Sequence, residues 1–575
     1  MQDERLQRTI SSALWSAYAD ALGFPTELAS ATTVERRIGS KSSNSLVDWD
    51  RMVGGRSGAI VSLPAGTYSD DTQLRLATSR AIRSDGFFDV ESFSKVELPV
   101  WLSYALGAGR GSKKAAASLT NKNIAWFSNF YPNYVDGGGN GAAMRIQPHV
   151  WAAPDPNKKE QFLPDVIRNA ISTHGHLRGI VGAVIHALSL ASIFTKKSIP
   201  TIEFWGDYSK EISNIQSVIE GDYELSTFWL PTWESKSNTT LAQALDKIKS
   251  EWLDIVYSAN KKISSNLNNK KEVYEEIVMK CGGLNEYERG SGLKCAFFAN
   301  LAAFLYQNDE PKVAIHEVVN FLGSDTDTIG TMVGALLGAL HYEKLPSESV
   351  QDAHYIANES ERLFKISQGL NADTHHYPDL LYWQPAKVIA DIVSANKKCL
   401  ILDGVSRIKK IINIFHAKQK GISWVWAELE IGQHVLCKIR TSLISEFYRE
   451  KSEVIIERQK NQTENSGGDT YSFDFFYNNK SEDNTSGKDN TSGKDNTSGK
   501  DNISTNEVKT PVSSQLGDDY LDKITDEVIK SGFDSNILAT RLLETAEMAN
   551  GIELSIGFVS IIVKARRARL KKNIK

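Results

Sequence analysis

Two short runs in the sequence set carboxylates beside hydroxyls: Ser69-Asp70-Asp71-Thr72 and Ser324-Asp325-Thr326-Asp327-Thr328. Each opens a stretch of helical apolar spacing, so capping is one explanation. Ser, Asp and Thr satisfy the free N–H groups of a helix start, and carboxylates there gain from the helix dipole. Capping needs only one such side chain per helix. Here each start carries two carboxylates with flanking hydroxyls, and like charges this close repel unless a cation lies between them. An all-oxygen donor set without a Cys or His cluster suits a hard ion such as Mg²⁺ or Mn²⁺. On these residues alone, a metal site and double capping both remain open.

Three further clusters carry weaker signals. Gly139-Asn140-Gly141 ends a glycine run from Gly137, and Gly107-Ala108-Gly109-Arg110-Gly111 is a second loop of the same kind. Either could be a tight turn; as a pair they also suit a diphosphate, whose oxygens accept from closely approaching backbone N–H groups. Glu27, just past Pro25 in ADALGFPTE, is on its own an ordinary loop carboxylate. Thr173-His174-Gly175-His176 precedes an apolar helix and on its own reads as a capping Thr with partly buried histidines.

The elements that must position these residues are helical over residues 1–365. Leu14, Ala17, Tyr18, Ala21 and Leu22 recur at helical spacing until Pro25, and Leu74, Ala77, Ala81 and Ile82 follow suit. Ile329, Met332, Val333, Leu336, Leu337 and Leu340 form the clearest stripe. Alternating patterns are scarce, so this part is predicted to be an all-α domain. Residues 370–461 change texture: KKCLILDGV and ISWVWAELEIGQHVLCKIR have a period near two, which predicts strands, with a short helix over Ile408 to His416. A small mixed α/β region follows from that reading.

Residues 462–516 repeat DNTSGK three times from Asp483 and, apart from YSFDFFY at 471–477, hold little to bury; a disordered linker is predicted. A short helical unit occupies 518–575 and ends in KARRARLKKNIK. Seven Lys or Arg residues fall in the twelve positions from Lys564, which fits either a solvated helix end or a nucleic-acid or protein contact.

The 575-residue chain has 41% hydrophobic residues, enough for real cores, and a formal charge of -4, which excludes a general basic field for nucleic acid or anionic membrane. Four scattered cysteines (Cys281, Cys295, Cys399, Cys437) form no CxxC pair and read as reduced thiols of a cytoplasmic protein. MQDERLQRTI lacks the pattern of a signal peptide. The apolar stretches Gly179 to Phe194 and Ile329 to Leu340 are too short or too rich in Gly and His to span a bilayer, and are expected to be buried helices.

In order along the chain, ADALGFPTE, LPAGTYSDDTQL, GNGAAMRIQP, STHGH and GSDTDTIGTMVGALLGALHYEKLP resemble the motifs of the ADP-ribosylglycohydrolase family. Five ordered motifs across residues 10 to 350 are far more specific than any one of them. The resemblance implies an all-α fold with two Mg²⁺ or Mn²⁺ ions at the bottom of an ADP-ribose cleft. By that resemblance Ser69, Asp70 and Asp71 are one ligand set and Asp325, Asp327 and Thr328 the other. Glu27 matches the acidic residue near the metals that serves catalysis or gates the cleft, and is the candidate catalytic residue. Asn140 and Gly141 hold ribose and diphosphate, and His174 lies beside the distal ribose; Gly107 and Gly109 of the second glycine loop remain diphosphate-binding candidates on the residue reading alone.

Ala19 stands before Asp20 where the family usually has Gly, and Ser69 replaces a usual Thr; neither change removes a ligand. The implied activity is hydrolysis of the glycosidic bond between ADP-ribose and a protein, nucleic-acid or small-molecule acceptor. The alternative is a catalytically inactive ADP-ribose-binding module or scaffold.

Overall fold

A computed structural model describes residues 2–265, 269–396, 399–445, 447, 514–548 and 551–572. Its centre is a pair of helices, Gln2–Gly23 and Thr326–Leu340. They approach closely because Gly334 carries no side chain: a Cβ there would lie 2.4 Å from the Trp15 carbonyl oxygen. At the end of the first helix Gly23 serves the same purpose, since a Cβ would meet the Asp327 α-carbon at 2.7 Å. The start of the second helix is thereby pressed against the end of the first, which brings Asp20 and Asp327 together. Around this pair pack the helices Asp70–Ala81, Leu177–Lys196, Gly292–Leu305 and Ala353–Ser367.

Both apolar stretches are interior helices. Among the described residues one helix, Leu177–Lys196, is long and apolar enough to cross a membrane, and 83% of its apolar window is buried inside the fold.

The N-terminal part is mostly helical, as expected, but it also contains an antiparallel hairpin of β1 (Trp49–Val53) and β2 (Ala59–Leu63). Its β1 face alternates, with Trp49 and Val53 buried and Asp50 and Met52 exposed. The region after residue 370 forms a five-stranded antiparallel meander in the order β3 (Val393–Ala395), β4 (Leu400–Leu402), β5 (Ser406–His416), β6 (Ile422–Leu429) and β7 (His434–Arg440).

The short helix expected over Ile408 to His416 is therefore wrong: this segment is strand β5, paired with β6 from Ile408↔Leu429 to His416↔Ser423. Register irregularities at Ile408/Lys410 and Ile411/Asn413 break its period of two, which leaves Ile408, Ile411, Ile412 and Phe415 at spacings that imitate a helix face.

The sheet shares the apolar core of the helices. Val425, Ala427, Leu429, Val435, Cys437 and Ile439 belong to the same buried cluster as Ala17, Leu74 and Leu337. A buried ion pair, Arg80–Glu97, also reaches it: Arg80 donates to the Gln433 side chain at 2.9 Å.

The linker expected over 462–516 lies outside the described residues except for its last three, which belong to the helix Ser514–Lys530. With Ser535–Ala546 and Gly551–Lys572 that helix forms the expected C-terminal unit, built on Leu521, Ile524, Val528, Phe558 and Ile562. Lys564 of this unit pairs with Glu91 at 2.6 Å.

Candidate active site

Ser69 and Asp325 are the N-caps of the helices Asp70–Ala81 and Thr326–Leu340, so both runs do begin helices. Capping accounts for little of their chemistry. Ser69 accepts from the Asp71 amide, but Asp325 makes no side-chain cap bond. Asp70, Asp71 and Asp327 are buried, and Asp71 Oδ1 has no hydrogen-bond partner at all.

The fold joins the two runs. Asp71 Oδ2 accepts from the Ser69 hydroxyl at 3.2 Å and from the Thr328 hydroxyl at 3.4 Å. Asp20, Asp71 and Asp327 each offer an oxygen such that all three lie within 4.8 Å of one another.

Asp20 belongs to neither carboxylate run. It is fully buried on the first helix, and its carboxylate accepts from the amides of Ser69 and Thr72, each at 2.9 Å. It thus ties the first helix to the loop carrying one carboxylate run. The available signal was an Asp set among the apolar positions Ala17, Tyr18, Ala21 and Leu22.

Beside this cluster lies a cleft of about 530 Å³ whose walls include Glu27, Asp70, Asp71, Gly109, Asn140, Gly141, His174, Asp325, Asp327 and Thr328. Most of the residues expected from sequence therefore share one cavity. Ser69 lies beneath it, holding Asp71. Gly107 also sits one layer back: with φ +88° it lets the chain pass Asp70, and a Cβ would meet Asp70 Oδ1 at 2.8 Å. Its role is to bring the Ala108 amide to Asp70 (2.6 Å), not to line the cleft. A larger hollow of about 960 Å³ near Arg178, Glu251 and Lys294 contains none of these residues.

The glycine loop is held from behind by Arg145, whose position in the sequence gives no sign of this role. Fully buried, it donates to the Gly141 carbonyl at 2.9 Å, to the Thr173 hydroxyl at 2.7 Å and to Asn169. Thr173 in turn bonds His174 Nδ1 at 2.8 Å. The other ring nitrogen, Nε2, faces the backbone of Gly111, Gly139 and Gly141. Burial, with the Arg145 charge adding to it, pushes His174 down to about 3, so it is neutral at physiological pH. Asn140 donates to Asp325 Oδ2 at 3.0 Å and so links the glycine loop to the acidic runs.

The electrostatics of the cluster are strained in one direction. Burial first, and then neighbouring carboxylates, raises Asp71 and Asp327 well above the usual range; burial also raises Asp20 and Asp325. Burial and the charge of Asp325 push Glu27 up to about 7, against the opposing charges of Arg51 and Arg37. Burial and Glu27 push Asp70 up to about 8. Converging, buried, mutually repelling oxygens with an unpartnered Asp71 Oδ1 fit a hard divalent cation. A buried carboxylate oxygen left without a partner is otherwise costly.

A family model described as ADP-ribosylglycohydrolase matches residues 1–377. The uncharacterized protein YegU of Escherichia coli (strain K12) is 24% identical over 356 residues, 59% of this chain and 88% of that protein. A solved structure titled as an ADP-ribosylglycohydrolase-related protein complex aligns with 18% identity and a TM-score of 0.37, covering 64% of this chain and 99% of that one. The family match spans the cleft and every residue that lines it, and the chain belongs to the ADP-ribosylglycohydrolase family.

Proposed function

We propose that the chain hydrolyses the glycosidic bond between the distal ribose of ADP-ribose and an acceptor, in a reaction dependent on two Mg²⁺ or Mn²⁺ ions. The observation that carries this reading is the convergence of Asp20, Asp71 and Asp327 at the floor of the cleft, with Asp71 Oδ1 unpartnered. Ser69, Asp70, Asp71, Asp325, Asp327 and Thr328 would hold the ions, with Asp20 added to that set by its position. Bound there, the ions supply the Lewis acidity that steadies the ribose diol and lowers the pKa of a water.

The remaining work falls to side chains and backbone. Glu27, in the cleft wall, accepts the proton of the attacking water and faces the positive charge that builds on the sugar as the C1–acceptor bond lengthens. The bonding pair leaves with the acceptor's nitrogen or oxygen, which takes up the proton that Glu27 releases, and the water oxygen becomes the new hydroxyl at C1. Backbone N–H groups of the loops at Gly109 and Gly141 hold the diphosphate, and this remote binding fixes the anomeric carbon against Glu27. Neutral His174, its Nδ1 engaged by Thr173, turns Nε2 to the ribose. A volume of about 530 Å³ lies within the range of small-molecule sites and admits a nucleotide-sized ligand.

The test is incubation with ADP-ribosylated arginine, serine and nucleic-acid acceptors and with O-acetyl-ADP-ribose, in ¹⁸O-water. Release of ADP-ribose carrying ¹⁸O at C1 is expected for at least one. Tight binding of ADP-ribose with no release from any of them would instead support the binding-module reading.

A further inference from the structure

The β3–β7 sheet lies beyond the residues the family model matches, yet it packs on the segment that leads to Glu27 in the cleft wall. Its Trp424, Trp426 and Leu436 form one apolar cluster with Trp49, Val53, Val61 and Leu63 of the β1–β2 hairpin and with Phe24, three residues before Glu27. The turn after β5 clasps the hairpin tip: the Gln419 amide donates to the Ser57 carbonyl at 2.8 Å and the Lys418 amide to Gly58 at 3.0 Å. On the far side, His434 bonds Asp352 at 2.6 Å, and Asp352 accepts from the Tyr68 hydroxyl at 2.5 Å, next to Ser69.

The hairpin presents one cation inward. Arg51 shares the β1 face of Trp49 and Val53, and its guanidinium lies 4.3 Å from the centre of the Phe24 ring. Its Nη1 is shielded from solvent and has no hydrogen-bond partner. Burial lowers its affinity for the proton, and Glu27, then Asp327 and Asp70, oppose that from beyond ion-pair distance. Arg37, the other cation near Glu27, donates to the Pro25 carbonyl at 2.7 Å instead. A buried guanidinium with a free donor is retained only where a nearby negative charge offsets its desolvation.

We propose that Arg51 is a positioning residue for Glu27, and that the β3–β7 sheet belongs to the active site because it fixes the hairpin that carries Arg51. This rests on the function proposed above, in which Glu27 acts on the attacking water. Arg51 is not part of the cleft wall; it works from behind, as a counter-charge seated on the Phe24 ring one turn before the carboxylate.

The experiment compares kcat, KM and Mn²⁺ affinity by calorimetry in the full chain for wild type, Arg51→Met, Arg51→Lys and Gln419→Pro. Methionine keeps the apolar stem over Phe24 and deletes the charge. Expected is a kcat lowered about 10- to 100-fold, the range for outer-sphere partners of reacting groups, with KM and Mn²⁺ affinity unchanged and with lysine restoring most of the loss. Gln419→Pro deletes the amide that clasps Ser57 and restrains the adjoining Lys418, at a surface turn, and should lower kcat in the same sense. Wild-type kcat in Arg51→Met, or no recovery in Arg51→Lys, overturns the role of the charge. Wild-type kcat in Gln419→Pro overturns the role of the sheet. An inactive wild type would overturn the proposed function itself, a result distinct from either.

Discussion

Without a cation, the carboxylate cluster should make the protein less stable as pH rises. The folded-state values of Glu27 and Asp70 lie above their unfolded ones, so stability is complete below about pH 4 and is lost as pH climbs through the folded values, about 7 for Glu27 and about 8 for Asp70. Raising Glu27 from 4.5 to about 7 corresponds to about 3 kcal/mol, and raising Asp70 from 3.8 to about 8 to about 6 kcal/mol. Because each carboxylate raises the other, the combined loss between pH 5.5 and 8.5 is set at roughly 3–6 kcal/mol and not at their sum.

For a chain of this size that is roughly 3–5 °C in Tm. Other groups titrate too: burial pushes Lys95 down to about 7, which gives the opposite slope. The assay therefore takes the difference between Tm in excess Mg²⁺ and Tm in EDTA at each pH, which cancels what the cation does not touch. That difference should widen from pH 5.5 to 8.5. A difference that is flat or shrinks with pH would refute the picture of repelling carboxylates relieved by a cation.

Glu27→Gln should keep metal and ADP-ribose affinity while slowing turnover about a hundred- to ten-thousand-fold, whereas Asp327→Asn should lower both metal affinity and turnover; calorimetry with steady-state rates separates the two. Deleting residues 462–513 should leave activity and Tm unchanged. Truncation at residue 370 should give insoluble or inactive protein, because it uncovers the core shared with Val425 and Val435 and strips Arg80 of Gln433; an active, folded 1–370 fragment would disprove the integral sheet. If the basic run from Lys564 binds DNA or RNA, the affinity should fall steeply between 50 and 200 mM salt in a filter-binding assay, as counterion release requires.

The residues that open the two acidic helices were legible because crowded carboxylates at a helix start exceed what capping needs, and the stripe from Ile329 to Leu340 declared its helix by period alone. Three features were not legible, each for a physical reason. Asp20 sits inside a helix, and nothing local indicates that its partners are amides 49 and 52 residues away. Strand β5 was hidden by its two register irregularities, which shift apolar residues to helical intervals. The hairpin carrying Arg51 lies between helices, and its importance depends on the sheet behind it, a contact between residues 57 and 419 that no periodicity encodes. Gly107 is a special position, but φ +88° serves Asp70, one layer behind the cleft-facing loop at Gly109.

The central claim is that the buried acidic floor of this cleft drives glycosidic hydrolysis only with divalent ions in place. The direct measurement is the rate of ADP-ribose release from a substrate found in the acceptor panel, for protein stripped with EDTA and then returned to Mg²⁺ or Mn²⁺, with metal content followed by elemental analysis. No release is expected from stripped protein, with recovery that tracks the metal bound. Full release by protein shown to be free of metal would contradict it.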